Sequence, residues 1–286
     1  IPILMNEDSC DAWANPEFFR DDLRAGSPPD DMNPLGQNWG FPIYNWDNLR
    51  EADFDWWRRR LTQCARYYNA YRIDHILGFF RIWSIPCGNR FGYLGWTTPH
   101  EPVTTPELLS RGFSGDRLRW LTEPHVPTRL VEEVNGHDYL GTHGLMHTVM
   151  DRIGNEELWL FRQEIKCERD LMDAPLPDPV REVLARAWRD RLLQETGRDD
   201  KGLPLYAPIW NYRDATAWKS LSDGERSSLE SLFGEKKAAN DGLWRDQAVE
   251  ILGTLTRGVD MLACAEDLGS IPDCVPEVLS DLGILG

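Results

Sequence analysis

The sequence predicts an α/β fold built from parallel strand-helix-strand units, of the kind that forms α/β barrels. Three observations predict it. The apolar run at 70–73 ends on Asp74, a helix-length amphipathic segment precedes that run, and a second apolar run at 261–265 ends on Glu266. Strands connected through helices pair in parallel, and their carboxyl ends share one edge. Barrel enzymes keep their catalytic residues at that edge.

The first 90 residues predict strand, loop, helix, strand and helix, in that order. Residues 1–5 resemble a strand, and residues 25–44 resemble a long loop rich in Gly, Pro and Asp. Apolar residues recur at helical spacing over 47–69, and they alternate with polar residues over 70–74. This pattern predicts a helix that leads into the strand ending on Asp74. A short helix is predicted for 78–86.

The middle of the chain has a different character. Turns, prolines and polar helical stretches replace the strand-helix rhythm, and we predict a mainly helical insertion over 91–240 with helices at 155–171, 178–196 and 223–238. The rhythm returns over 241–286, with a helix at 243–256, the strand ending on Glu266 and the opening of another strand at 283. The predicted domains are therefore 1–90 and 241–286 as two parts of one barrel, interrupted by 91–240.

Composition restricts the partners. The formal net charge of −16, from 31 basic and 47 acidic residues, argues against nucleic acid and anionic membranes because the average surface would repel both. The chain contains 13 Trp, and flat aromatic rings can stack on the apolar faces of sugars as well as fill cores. No apolar run reaches the roughly 18 residues of a membrane span. A neutral substrate fits this composition best.

The cysteines and the chain ends set two further expectations. The six cysteines are scattered without a paired spacing, which is typical of reduced thiols and predicts a cytoplasmic protein. The chain starts at Ile1, within a strand-like run, and stops near the start of another strand. We therefore expect the sequence to be a central part of a longer one.

The chemistry points to the two acidic strand ends. Cleavage of a glycosidic bond needs two carboxyl groups, about 5–5.5 Å apart for retention of configuration or about 6.5–9.5 Å for inversion. Asp74 and Glu266 could supply that pair, and Arg72 should leave its strand on the same face as Asp74 and hold it ionised. The structural alternative is a set of ordinary salt-bridged carboxylates. His143 and His147 have the spacing of metal ligands on a helix, but no third ligand accompanies them, so we expect no metal site.

Three stretches in order resemble signatures of the amylomaltases, also called 4-α-glucanotransferases or glycoside hydrolase family 77. They are GQNWGFPIYNW at 36–46, RIDHILGF at 72–79 and AEDLG at 265–269. The resemblance covers roughly residues 1–90 and 240–286. It implies part of a (β/α)₈ TIM barrel, about strands three to five and the start of six, with the mainly helical insertion between the fourth and fifth strands.

The resemblance also implies site roles. Asp74 would be the nucleophile and Glu266 the general acid/base of a retaining double displacement, with no metal or organic cofactor. Arg72 would orient Asp74. The sugar sites near the cleaved bond would be lined by Gln37 and Trp39. For His75 two roles stay open, contact with sugar hydroxyls or hydrogen-bonded support of the site.

Two departures from the family pattern matter. Asp74 and Glu266 lie 192 residues apart, much farther than in compact bacterial members, and the long interruption resembles the split-domain branch typified by the plant cytosolic enzyme. The family's third acid would lie beyond residue 286.

The resulting prediction is a 4-α-glucanotransferase that moves glucosyl or maltooligosyl units between α-1,4-glucans such as maltose, maltodextrin and glycogen-like acceptors. Two alternatives stay open. One is an α-glucan hydrolase with the same two carboxylates and water as acceptor. The other is a non-catalytic glucan-binding fragment, since half a barrel exposes strand edges that need cover and can be covered by a second copy in a homo-oligomer.

Overall fold

The computed structural model describes residues 1–269 and 271–286 and shows a mixed α/β fold. The strands are β1 Phe19–Ser27, β2 Gln37–Tyr44, β3 Ala70–Ile73, β4 Ile82–Pro86, β5 Trp96–Thr98, β6 Val103–Thr104, β7 His125–Pro127, β8 Met150–Arg152, β9 Leu158–Phe161, β10 Leu193–Arg198, β11 Pro204–Pro208 and β12 Leu262–Ala265. The α-helices are α1 Cys10–Ala14, α2 Trp46–Glu51, α3 Asp55–Ala65, α4 Leu77–Phe80, α5 Thr105–Ser110, α6 Asp116–Thr122, α7 Thr128–Glu132, α8 Tyr139–Met146, α9 Glu168–Asp173, α10 Asp178–Trp188, α11 Thr216–Lys219, α12 Asp223–Arg257 and α13 Cys274–Asp281. Short 3₁₀ turns occupy Pro16–Phe18, Gly92–Leu94 and Tyr212–Asp214.

The parallel pairing expected from the sequence is present between β3 and β12. Leu285 forms a further parallel bridge to Cys264, on the far side of β12 from β3. The other sheets among the described residues are antiparallel, with strand orders β2-β1-β4-β5, β10-β11-β6 and β7-β9-β8. The strand order supports a mixed α/β fold, and these residues do not by themselves close a barrel.

The first section departs from the predicted elements in three places. The predicted loop at 25–44 is largely an antiparallel hairpin of β1 and β2. The predicted helix at 78–86 is α4 followed by the strand β4, because β4 finds partners in β1 and β5 that sequence periodicity does not reveal. The predicted strand at 1–5 is not one, although the Ile1 carbonyl accepts the Asp74 N–H at 3.0 Å and so lies beside β3.

The predicted helix at 47–69 is two helices, α2 and α3. Asp53 and Phe54 between them have φ of 51° and 52°, a left-handed conformation that no continuous helix can contain. The Phe54 side chain is buried, together with Trp56, Trp57 and Leu61 of α3. The left-handed backbone at Asp53 and Phe54 separates α2 from α3, and the apolar spacing alone does not show this break.

The section predicted as a mainly helical insertion contains strands as well as helices. The predicted helix at 155–171 is β9 followed later by α9, and the predicted helix at 178–196 is α10 followed by β10. These strands are specified by pairing across the sheet rather than by their own periodicity. At the end of the insertion, α12 continues without a break through residue 240 and includes both helices predicted there.

The apolar core lies in four clusters. One joins α3, β3, the second half of α12, β12 and α13 beneath the ends of the parallel strands. Two others fill the section between residues 94 and 233, and the fourth packs Ala207 of β11 against the β1-β4-β5 sheet. None of the described helices is both long and apolar enough to cross a membrane.

Candidate active site

Adjacent parallel strands bring Asp74 and Glu266 together. In the register of β3 and β12, Ile73 lies opposite Ala265, so each strand is followed by one of the two acidic residues. The Glu266 N–H donates to the Ile73 carbonyl at 3.0 Å, and the Ile76 N–H donates to the Glu266 carbonyl at 3.0 Å. Because the main-chain hydrogen bonds continue past the strand ends, both acidic residues are fixed at the same edge.

The alternation along β3 decides which side chains reach that edge. Tyr71 and Ile73 are buried in the core cluster beneath the site, whereas Arg72 and Asp74 are exposed. Successive side chains of a strand point to opposite faces, so the burial of two positions turns the other two outward. This pattern was predicted from the sequence and is confirmed.

Glu266 is held by positive charge and by main-chain hydrogen bonding. Its Oε1 accepts from Arg72 Nη2 at 2.8 Å, and its Oε2 accepts from the His75 N–H at 3.0 Å. The His75 hydrogen bond lowers the pKa of Glu266, and a hydrogen bond with the Asp74 carboxyl and the charge of Arg72 lower it further against the opposing effect of desolvation. Hydrogen bonds and a cation that favour the anion are the physical cause. Glu266 is therefore stabilised as a carboxylate.

The carboxyl groups of Asp74 and Glu266 are neighbours at this edge, since the two residues directly follow the paired residues Ile73 and Ala265. Neighbouring strands lie about 4.7–4.9 Å apart, which is close to the about 5–5.5 Å that retaining glycosidases keep between their two carboxyl groups. The strand register therefore gives the pair a spacing that suits retaining glycoside chemistry.

The structure corrects the predicted partner of Arg72. Its described ion pair is with Glu266, at 2.8 Å, rather than with Asp74. Arg72 lies opposite Cys264, and Glu266 is two residues further along β12 on the same face, so the two side chains are diagonal neighbours across the sheet. The predicted effect of Arg72 on a carboxylate is present, but it acts on the other member of the pair.

His75 contributes through its main chain and its ring. Its φ of 50° is in the left-handed region, which turns its N–H toward Glu266. The imidazole meets the Trp39 indole edge-on, with ring centroids 5.6 Å apart. Burial lowers the pKa of His75, although the charges of Asp74 and Glu266 oppose that shift, so the neutral form of the ring is favoured.

Gln37 and Trp39 reach the same site from the β1–β2 hairpin. Trp39 Nε1 donates to Gln37 Oε1 at 3.1 Å. The hairpin backbones approach so closely that a Cβ on Gly26 would lie 2.0 Å from the Gln37 carbonyl oxygen. All six residues predicted for the site, Gln37, Trp39, Arg72, Asp74, His75 and Glu266, thus form one connected set.

Sequence reasoning missed the most direct main-chain contact of the site. The His75 N–H is aimed at Glu266 by a positive φ at a residue other than glycine, and no composition or spacing signals such a conformation. His143, whose spacing from His147 is typical of metal ligands, lies outside this site. Its Nε2 is 3.1 Å from Glu157 Oε2. No group of three or more metal-ligating side chains occurs in the described parts of the chain.

A mixed α/β chain with two acidic residues side by side at the ends of neighbouring parallel strands has the pair of carboxyl groups that glycoside chemistry requires. The chain belongs to the family described as 4-alpha-glucanotransferase, whose family model matches residues 1–286.

Named relatives carry the same description. The chain is 34% identical over 295 residues to the 4-alpha-glucanotransferase DPE2 of Oryza sativa subsp. japonica, covering 100% of this chain and 30% of that protein. It is 47% identical over 83 residues to a 4-alpha-glucanotransferase of Chlamydia pneumoniae, covering 29% of this chain and 16% of that one. The chain therefore spans less than a third of the length of either relative.

Solved structures of amylomaltases are also similar. The amylomaltase of Corynebacterium glutamicum matches at 14% identity and a TM-score of 0.40, covering 98% of this chain and 20% of that one. The amylomaltase of Streptococcus agalactiae in complex with acarbose matches at 40% identity and a TM-score of 0.33, covering 35% and 21%.

Proposed function

We propose that the full-length protein is a 4-α-glucanotransferase that moves glucosyl or maltooligosyl units between α-1,4-glucans with retention of configuration. The observation that carries this proposal is the adjacency of Asp74 and Glu266, which directly follow the paired ends of the parallel strands β3 and β12. Family membership supports the same activity.

The proposed reaction has two displacements at one carbon. Asp74 attacks the anomeric carbon as the glycosidic bond breaks, and Glu266 gives its proton to the leaving glucan oxygen. In the second step Glu266 removes the proton of an acceptor 4-hydroxyl, whose oxygen replaces Asp74 at the anomeric carbon. The two carboxyl groups supply nucleophile, acid and base, so the reaction needs no cofactor.

The surroundings of the pair support this division of roles. Arg72 and the His75 N–H stabilise the ionised state of Glu266, which is the state that removes the acceptor proton. In the first step Glu266 must instead be protonated, so a sugar bound between the two carboxyl groups must change the environment of Glu266. Trp39, Gln37 and His75 border the site from one side and would face the sugar rings.

The same proposal includes the architecture and setting. Residues 1–90 and 241–286 would be two parts of a (β/α)₈ barrel, and residues 91–240 would be an insertion in it. The β3–β12 parallel pair and the adjacent Leu285 bridge support this arrangement. All six cysteines are free thiols, which supports a cytoplasmic protein. The proposal also includes a homo-oligomer. Strand edges that the rest of the barrel leaves uncovered can pair with a second copy of the chain.

The test uses the full-length protein with maltose and glycogen, and glucose release is measured. Asp74→Asn should abolish it because the nucleophile is lost. Glu266→Gln should slow it by about 10²–10⁴-fold, the usual contribution of a general acid/base. Glu250→Gln is the matched control, since it removes an exposed carboxylate that pairs with Arg50 on the outside of α12.

Two results would contradict the proposal. Undiminished glucose release by Asp74→Asn would remove Asp74 from the nucleophile role. Incubation of the wild type with maltotriose separates transfer from hydrolysis, since transfer gives longer oligosaccharides and hydrolysis gives only glucose and maltose.

A further inference from the structure

A cavity of about 700 Å³ lies between the β4–β5 edge, the end of β11 and α12, and it is lined by four tryptophans. We call it the tryptophan groove and define it by Trp83, Trp96, Trp210 and Trp244. Its volume is within the range of about 300–1,000 Å³ typical of small-molecule sites. The six candidate site residues do not line it, so it is separate from the carboxylate pair.

Trp210 is an exposed ring in a fixed position. Its side chain is 49% exposed, and its ring meets Trp83 edge-on with centroids 5.6 Å apart. Trp83 is buried in β4, and its Nε1 donates to the Gly92 carbonyl at 2.8 Å. A large apolar ring that is held in place yet open on one face is a preformed platform for the apolar face of a ligand.

Hydrogen-bonding groups accompany the rings. Arg213 Nη2 bonds Glu230 Oε1 at 2.8 Å, and both side chains stay substantially exposed at the groove. The Arg213 guanidinium lies 5.4 Å from the centre of the Tyr212 ring. Such a pair offers several donors and acceptors beside an aromatic surface, which suits a ligand rich in hydroxyl groups.

The charge of the groove points to a neutral ligand. Four basic and four acidic side chains line it, so its formal charge is zero. Burial lowers the pKa of His100 to about 4, which keeps that ring neutral at pH 7. A phosphorylated or polyanionic ligand would find no net attraction here, and the whole chain carries −16.

We propose that the tryptophan groove binds a segment of α-1,4-glucan as a second site, with Trp210 as its stacking platform. Trp83 comes from the first section, Trp210 from the insertion and Trp244 from the last section, so the groove exists only because the insertion folds back onto the β1-β4-β5 sheet. This inference rests on the proposed function for the choice of glucan. It gives the insertion a role in holding long acceptors.

The test measures amide hydrogen exchange in the full-length protein carrying Asp74→Asn, so that added maltoheptaose is not turned over. We expect two separate regions of protection, one at residues 70–76 and 262–267 and one at 82–98 and 204–213. Adding Trp210→Ala should remove the second region and leave the first, and it should weaken binding at the groove by on the order of tenfold. Trp13→Ala is the matched control, since Trp13 is 75% exposed and lies outside the groove.

Each outcome decides one of the two proposals. Protection of the β3–β12 region alone would overturn the groove proposal and leave the proposed function standing. Protection of the groove alone would support the second site and contradict the assigned catalytic site. Equal protection of the groove by cellohexaose would reject α-glucan as its specific ligand, and an equal loss with Trp13→Ala would reject Trp210 as the stacking platform. Glu230→Gln keeps all four tryptophan rings and should weaken protection of the groove less than Trp210→Ala does. It should leave protection of the β3–β12 region unchanged, which shows that the fold is intact.

Discussion

At the residue scale, the acidic pair is asymmetric. Glu266 accepts from a guanidinium and a main-chain N–H, and its pKa is lowered by those bonds and by Asp74. In the proposed mechanism Glu266 is the general acid, and a general acid must be protonated when the glycosidic bond breaks. The asymmetry therefore requires the substrate to change the environment of Glu266, which separation of the two carboxyl groups by a sugar would do.

Arg72 sets part of this asymmetry, and its replacement has a predictable sign. Arg72→Gln removes a charge that favours ionised Glu266, so the pKa of Glu266 should rise. In the proposed mechanism Glu266 carries a proton in the first step, and the basic limb of the pH profile of kcat/KM would report the loss of that proton in the free enzyme. We expect that limb to move to higher pH in Arg72→Gln, measured with maltose and glycogen.

Arg72→Lys is the control for charge alone. It keeps the positive charge and loses the planar fork, so its basic limb should move less than that of Arg72→Gln. An unchanged basic limb in Arg72→Gln would show that Arg72 does not act through the protonation of Glu266. The effect on stability should be small, since Arg72 is 64% exposed.

The same pKa direction fixes how Glu266 affects stability. A carboxyl group with a lowered folded-state pKa contributes stability above its ordinary pKa of about 4.5. That contribution is lost as the pH falls through the lower, folded-state pKa. The folded protein should therefore lose this stabilisation at acidic pH and keep it at neutral and basic pH.

At the element scale, the β1–β2 hairpin matters because it carries Gln37 and Trp39. Its two strands approach closely at Gly26, where a Cβ would lie 2.0 Å from the Gln37 carbonyl oxygen and 2.5 Å from Ile85 Cδ1. A side chain there collides with main chain on one side and a buried side chain on the other. Only glycine allows this approach without displacement.

Gly26→Ala should destabilise the fold by about 1–3 kcal/mol, the usual cost of an added group in a packed region. It should also raise KM for glucan substrates, because the displaced strand carries Gln37 and Trp39. Urea unfolding and steady-state kinetics of the full-length protein measure the two effects.

Gly197→Ala is the matched control for Gly26→Ala. Gly197 is also in a strand, β10, and a Cβ there meets nothing within 4 Å. It should leave stability and KM nearly unchanged. Equal destabilisation by both replacements would mean that the loss of glycine itself, and not the contact with β2, is responsible.

At the scale of the whole molecule, α12 connects the predicted insertion to the part that carries the candidate site. Its first half buries Leu229, Leu232 and Phe233 in a cluster of the insertion. Its second half buries Ile251 and Leu252 in the cluster beneath β3 and β12. A single continuous helix with buried side chains in both halves should transmit a loss of packing from one cluster to the other.

Leu232→Ala tests this connection. The side chain is fully buried, so its truncation should cost about 2–5 kcal/mol. If the two clusters unfold as one unit, the slowest amides of β3 and β12 should exchange at least about tenfold faster, although Leu232 does not belong to their cluster. Native-state hydrogen exchange read by mass spectrometry measures this.

Leu243→Ala on the same helix is the matched control, because Leu243 is 37% exposed. It should change the exchange of β3 and β12 little. Faster exchange confined to the insertion in Leu232→Ala would show that the clusters unfold independently and that α12 does not couple them.

The sequence by itself determined the acidic strand ends and the residues around them. Alternation over 70–74 and the apolar run before Glu266 are local patterns, and burial of every second side chain follows from them. The three ordered motifs are local patterns too. They pointed to Gln37, Trp39, Arg72 and His75 as well as to the two acidic residues.

Only the tertiary structure decided which groups meet. Arg72 binds Glu266 rather than Asp74 because β12 lies beside β3 in a particular register, which pairs residues 192 positions apart in sequence. The β1–β2 hairpin, β4 and β9 were missed because strand pairing depends on partners and not on a strand's own periodicity. The tryptophan groove likewise draws on three distant sections, so no local pattern could indicate it.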